Sequence, residues 1–325
     1  MKQLEISDYR KVNESYHWRL IYHAGIDCGF FVELNYMVNA MLYCLANGYR
    51  FMLYSEDANF GTGKGWTEYF QPFCEEVHEP FHHKYNLRRQ SIWRRILAHW
   101  LAFRTYGEYV RLSQDVAHEP DKFYHIPALG ISCSYTEAYA MLARIIWQPQ
   151  PEVQQKMKDA RHRLSLPEIY SGVQIWEGNN ASGSRLISGW QIIQTLHPQD
   201  GECIFALADN YQQLEIVRNE FQKLRIVSLC QPHETGYHHQ AFEHLSPQEK
   251  KESVIRLLIS VDILLQCCAF VGTITSGPSV FLLKVRADDP CVTAIDCPQD
   301  MLPDCLTLNI DERAAISRRF VVRLT

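Results

Sequence analysis

Three short stretches carry side chains whose types and spacing could act on a phosphorylated ligand. The first is Tyr170 to Ser184, YSGVQIWEGNNASGS. A short apolar run around Val173 and Ile175, with Gln174 and Trp176 beside them, breaks into Glu177-Gly178-Asn179-Asn180. A helical pattern begins near Arg185. Strand, polar loop and helix in that order place backbone N–H groups at a helix N-terminus, where a phosphate is favoured. The second stretch is CIFALADN, Cys203 to Asn210, a strand stopping at an acidic side chain. Asp209 could hold a ribose or a base there, or could cap the helix that starts at Tyr211. A nucleotide-like ligand would sit between these two loops. The third is Ile274-Thr275-Ser276-Gly277-Pro278, whose hydroxyls could bond a diphosphate or make ordinary helix caps. Tyr237, His238 and His239 lie in a loop that could cross the nucleotide. Without convergent carboxylates or thiolates they predict no metal site. Asp262, within an amphipathic helix, reads as a surface or capping charge.

The elements that must position these residues are legible from periodicity. In the first half, Trp18 to Ala24 reads as a strand ending in Gly25-Ile26-Asp27-Cys28-Gly29. From Phe30 the apolar positions Phe30, Leu34, Met37, Val38, Met41, Leu42 and Leu45 recur at helical spacing. Gly48 supplies the stop and Tyr49 to Tyr54 the next strand, which makes a βαβ unit. Ser55 to Trp66, SEDANFGTGKGW, is a glycine-rich loop at a strand's carboxyl end. Between Phe70 and Trp147 the pattern is mostly helical, and Lys84 to Trp100 gathers Arg88, Arg89, Arg94 and Arg95 among aromatics. Such a run could bind phosphate, but a solvated face is the more ordinary meaning. Pro149 and Pro151 open a polar segment that reads as a linker or surface helix, so domains 1–165 and 166–325 are expected.

The second half alternates regularly. Strands are expected at Cys203–Ala208, Arg225–Cys230, Ala269–Thr273 and Cys291–Asp296, with helices at 185–197, 211–224, 247–268 and 279–286. Ser246-Pro247-Gln248-Glu249 is a capping box with proline at the first helical position. This alternation implies a mostly parallel sheet covered on both faces.

Composition excludes several classes. The chain has 325 residues, 46% hydrophobic and 21% charged, which is enough for two core-bearing domains. A net charge of −5 offers no general attraction for nucleic acid. No apolar run approaches the roughly 20 residues of a membrane span, and the start lacks a signal-peptide centre. The expected location is the cytoplasm, with a peripheral position at the inner membrane face if the acceptor is lipid-linked. Eleven cysteines at irregular spacing fit reduced buried thiols rather than a disulfide framework.

Asp27 to Phe73 resembles the N-terminal region of the fucosyltransferase superfamily that contains the core N-glycan, nodulation-factor and protein O-fucosyltransferases. The cysteine-glycine-aromatic start, the helix, the strand and the glycine-tryptophan before an aromatic-x-Pro fall in the family's order. IFALADNYQQL, HETGYHH and FVGTITSGPSVF continue the likeness, which spans about three quarters of the chain. The resemblance implies a GT-B-like α/β fold of two Rossmann-like domains facing a cleft. The first, with a helical insert, would take the acceptor, a glycan or glycoconjugate, and the second the GDP-fucose donor. Transfer would be inverting and would need no metal or other cofactor. It further implies a donor site of Gly29, Phe30, Asp209, Tyr237, Thr275, Ser276 and Gly277. For Gly29 and Phe30 the alternative is a strand-to-helix turn and a core aromatic.

One departure stands out. Where the family reads approximately His/Gln-x-Arg followed by Asp-Lys, this chain reads Gln174-Ile175-Trp176 and then Asn179-Asn180. Trp176 occupies the position of the arginine that pairs with the leaving diphosphate, and Ser184 lies near a carboxylate proposed as base in some members. The catalytic positions carried over are thus Gln174 and Trp176, with Arg185 at the helix start as a substitute cation. The alternatives to a working fucosyltransferase are a pseudo-glycosyltransferase acting as a binding partner and a transferase with a changed nucleotide-sugar donor.

Overall fold

The computed structural model describes residues 4–25, 28–78, 80–85, 123–176 and 187–324. The chain divides into two compact units, Met1–Pro151 with Ser246–Lys251, and Glu152–Leu245 with Glu252–Thr325.

The first unit opens with helix α1 (Ile6–Ser15), which the sequence pattern did not single out. Strand β1 (Trp18–His23), helix α2 (Phe30–Asn47) and strand β2 (Tyr49–Tyr54) form the expected βαβ unit. β1 and β2 are parallel, with Trp18 opposite Tyr49 and His23 opposite Tyr54. Gly48 ends α2 in the left-handed region at φ 68°, which glycine adopts without a Cβ penalty. Helix α3 is Pro80–Tyr85. The mostly helical expectation for 70–147 needs correcting where it can be followed. β3 (Phe123–Ile126) and β4 (Ile131–Ser134) form an antiparallel hairpin before helix α4 (Tyr135–Ile146). Burial alternates along β3, but Phe123 is exposed and Tyr124 buried, so the residue types do not show the period of two. The polar segment after Pro149 is helix α5 (Pro151–Arg163).

The second unit holds a five-stranded, wholly parallel sheet. Its strands are β5 (Ser171–Ile175), β6 (Cys203–Ala208), β7 (Arg225–Val227), β8 (Ala269–Gly272) and β9 (Val292–Ala294). Their spatial order is β7-β6-β5-β8-β9. The helices are α6 (Gly189–Thr195), α7 (Tyr211–Glu220), α8 (His239–Glu243), α9 (Pro247–Leu265), α10 (Gly277–Val285), α11 (Leu302–Thr307) and α12 (Ile310–Leu324). Val173 and Ile175 of β5 and Ile204, Ala206 and Ala208 of β6 pack with Ile192 and Ile193 of α6 and Leu214 and Val217 of α7. Side chains alternate across a strand, so Gly172 and Gln174 face the other side. There α9 lies so close that a Cβ on Gly172 would stand 2.4 Å from Leu264 Cδ2.

Among the described residues no helix is long and apolar enough to cross a membrane. All eleven cysteines are free thiols, most of them buried.

Candidate functional site

Chain order reverses beside β5. The chain runs from β5 out through β6 to β7, then returns to place β8 on the other side of β5. In open parallel sheets ligands bind outside the carboxyl ends of the strands at such a switch point. Here the strand ends supply Trp176 after β5, Asp209 after β6, the turn 273–276 after β8 and Asp296 after β9.

Gln174 spans the switch point. Its side chain is 5% exposed, and its amide Nε2 donates to Ser276 Oγ at 2.6 Å. Its Oε1 accepts a hydrogen bond from Ser279 Oγ on α10. Both hydroxyls are buried. Ser276 precedes α10 without capping it, because its hydroxyl goes to Gln174. Gly272, at the end of β8, makes the approach possible: a Cβ there would lie 2.4 Å from Ser279 Oγ. Trp176 follows directly, half-buried.

On the other side of β5, Asp209 Oδ2 accepts the Tyr237 backbone N–H at 3.0 Å, and its carbonyl accepts Gly236 N–H at 2.8 Å. The cap of α7 is Asn210, whose Oδ1 accepts from Gln212 N–H at 2.9 Å and Gln213 N–H at 3.3 Å. Asp209 therefore ties the 231–237 loop to the strand end rather than capping the helix. In that loop Tyr237 Oη meets His239 Nδ1 at 3.0 Å.

The turn 273–276 rests on a carboxyl that sequence reasoning missed. Asp296 is 1% exposed; its Oδ1 accepts Ile274 N–H at 2.8 Å, and its Oδ2 lies 3.5 Å from Thr275 Oγ1. Burial pushes its pKa up to about 6, against the hydrogen bonds from Ile274, Ser317 and Thr275 that favour the charged form. No motif marks it, because its role depends on α12 bringing Ser317 beneath the turn.

The first unit has polar clusters of its own. Glu33 on α2 accepts Gly25 N–H at 2.9 Å and the Tyr22 hydroxyl, which fixes the end of β1. Gly29 precedes α2, and Phe30 is a core aromatic, with its ring 4.9 Å from Phe60 and stacked on Trp66 and Phe70. His23 Nε2 and His82 Nδ1 are 3.0 Å apart, both rings buried. Burial, then His82, lowers the His23 pKa to about 3 against the pull of Asp57, so His23 is neutral at pH 7. Asp57 accepts from Tyr54 Oη at 3.1 Å and meets His83 Nδ1 at 2.9 Å. Isolated histidines give no pattern from which this cluster could be read.

The structure thus brings Gln174 to Ser276, and Asp209 to Tyr237. Thr275 reaches Asp296, and Gly277 begins α10. Asp262 stays on α9, accepting from Gln266 Nε2 at 2.8 Å. Glu177 to Asn180, Ser184 and Arg185 lie outside the described residues, as do Arg88, Arg89, Arg94 and Arg95. Among the described residues no group of three or more His, Cys, Asp or Glu is placed to hold a metal ion.

The sequence matches no protein-family model and no curated protein. Solved structures do match in fold. Fucosyltransferase NodZ from Bradyrhizobium is 13% identical, with a TM-score of 0.54 over 87% of this chain and 97% of that one. At this identity the likeness is one of fold, an α/β chain with a parallel sheet. NodZ alpha-1,6-fucosyltransferase soaked with GDP-fucose is similar with a TM-score of 0.51 and 13% identity over 83% of this chain and 92% of that one. A mutant of FUT1 from Arabidopsis thaliana in complex with GDP gives 0.51 and 11% identity, over 86% and 73%. The strand order by itself makes the carboxyl edge of the second unit, beside β5, the place to look for a ligand.

Proposed function

We propose that the chain is a fucosyltransferase-like glycosyltransferase that moves fucose, or a related deoxysugar, from a GDP donor to a hydroxyl of a glycan with inversion. The observation that carries this reading is the fold agreement, over more than four fifths of the chain, with fucosyltransferases solved with GDP or GDP-fucose. Residues 166–325 would bind the donor and residues 1–165 the acceptor, in a cytoplasmic protein that needs no metal. Gly29 would serve at the turn before α2. The bond from the sugar's anomeric carbon to the β-phosphate oxygen breaks with its electrons going to GDP. The acceptor oxygen forms the new bond and gives up its proton to solvent. Asp209 and the Tyr237 loop would hold the nucleoside, while Thr275 and the backbone at Ser276 and Gly277 would face the diphosphate at the start of α10. Gln174 would be a positioning residue, holding Ser276 and Ser279.

A second reading is favoured by Trp176. A fixed cation beside the leaving diphosphate typically contributes about 3 to 4 kcal/mol to the transition state, and tryptophan supplies none. Either Arg185 replaces it, or the chain binds the nucleotide without efficient transfer. GDP release from GDP-fucose, with and without a pool of glycan acceptors, separates the two. Acceptor-dependent release by the wild type supports the transferase. No release by the wild type together with release by Trp176→Arg, on the order of 100-fold or more above background, supports the non-catalytic relative. Turnover of UDP-sugars in place of GDP-fucose would reassign the donor.

A further inference from the structure

Asp296 is a costly place to keep a charge. It is 1% exposed beneath the turn where the proposed site would receive a diphosphate. Its two oxygens are bonded to that turn, Oδ1 to Ile274 N–H at 2.8 Å and Oδ2 toward Thr275 Oγ1 at 3.5 Å, and Ser317 from α12 bonds it from below. The Cys297 and Cys305 thiols, hydrogen-bonded to each other, both feel its charge. Asp300 bears on Cys297, while Asp304 and Arg313 bear on Cys305. Lys284 of α10 is a buried amine whose pKa is driven well below the ordinary value by burial and then by Arg313.

We propose that Asp296 is a positioning residue of the donor site that carries a proton when the diphosphate is bound, so that donor binding takes up a proton from solvent. The inference rests on the donor reading given above. A carboxylate and a diphosphate on opposite sides of one turn repel each other through a medium that screens poorly. The neutral acid keeps every contact that shapes the turn. Its carbonyl oxygen still accepts Ile274 N–H, and the proton fits between Oδ2 and the hydroxyl of Thr275 or Ser317. The turn therefore keeps its form while losing the charge that opposes the ligand. Asp296 titrates within reach of neutral pH, pushed up to about 6 by burial, so the proton is available under ordinary conditions.

The test is calorimetry with GDP-fucose, whose diphosphate, unlike that of GDP, has no ionisation between pH 5 and 8. Titration at pH 7.5 in buffers of different ionisation enthalpy counts the protons. The expected result for the full chain is uptake of about one proton, with affinity falling about five- to tenfold from pH 6.5 to 7.5. Asp296→Asn keeps the acceptor for Ile274 N–H and removes the charge. It is expected to take up no proton and to bind at pH 7.5 about as tightly as the wild type does near pH 6. A role limited to shaping the turn would weaken binding at every pH and leave no such rescue. Binding of GDP-fucose without proton uptake by the wild type overturns this inference and leaves the donor assignment standing. Absence of binding by both proteins at both pH values overturns the two together. Should Asp296→Asn fail to fold, the wild-type proton count decides alone, with Thr275→Val expected to shift the pH midpoint.

Discussion

Gln174 commits both ends of its amide to hydroxyls that water does not reach. Leucine fills nearly the same volume but answers neither partner, and a buried hydroxyl left unpaired costs about 1 to 3 kcal/mol. Gln174→Leu should therefore lose about 2 to 4 kcal/mol in urea unfolding and weaken GDP binding. Unchanged stability would mean that Ser276 and Ser279 find other partners. At this scale the sequence spoke unevenly. Asp209 is singled out by its place at a strand end and Gln174 by motif resemblance, and Ser276 and Tyr237 are candidates too, but the pairings of Gln174 with Ser276 and Ser279 and of Asp209 with Tyr237 are visible only in three dimensions. Asp209 and Asn210 are adjacent and chemically similar, so sequence alone could not say which caps α7. Asp296 and the His23–His82 pair were silent, because a lone carboxyl or imidazole acquires its meaning from distant elements that bury it.

Elements with a strong local signal appear where periodicity puts them. β6 and β2 coincide with their expected bounds, and the Ser246 capping box starts α9 at Pro247, with Ser246 N–H and Oγ both on Glu249. Ends drift where tertiary packing decides them: β9 stops at Ala294 rather than Asp296, since the following residues turn to bond the 273–276 loop. α10 begins at Gly277, two residues before the expected Ser279. The contact of β8 with α10 relies on Gly272, where an added methyl would stand 2.4 Å from Ser279 Oγ. Gly272→Ala forces Ser279 Oγ, which is bonded to Gln174, and the Phe270 ring to move. It should cost about 1 to 3 kcal/mol of stability and lower GDP affinity, measured by thermal unfolding and by titration. Unaltered affinity would detach the start of α10 from the donor site.

At the scale of the whole molecule, the two units carry buried groups with opposite pH dependence. His23 has its pKa lowered from an ordinary 6.5 to about 3, so the unfolded chain takes the proton first. Its contribution is complete above pH 6.5 and is lost as pH falls, by about 2 kcal/mol at pH 5. Asp296 has its pKa raised from an ordinary 3.8 to about 6. Its contribution is complete below pH 3.8 and lost as pH rises through 6, leaving a cost of about 3 kcal/mol at pH 7.5. Urea unfolding at pH 5 and 7.5 should show this as variant differences. His23→Leu reduces the acid sensitivity of the first unit, and Asp296→Asn stabilises the second at pH 7.5 but has less effect at pH 5. Equal effects at the two pH values would contradict both assignments.

On the proposed reading, the carboxyl edge of the five-stranded sheet binds a guanine nucleoside diphosphate. The most direct measurement is a calorimetric titration of the full chain with GDP, and with UDP and ADP alongside. Micromolar binding of GDP, about −8 kcal/mol, with none of UDP or ADP, is the predicted result. Equal affinity for the three nucleotides, or binding of none of them, would contradict it.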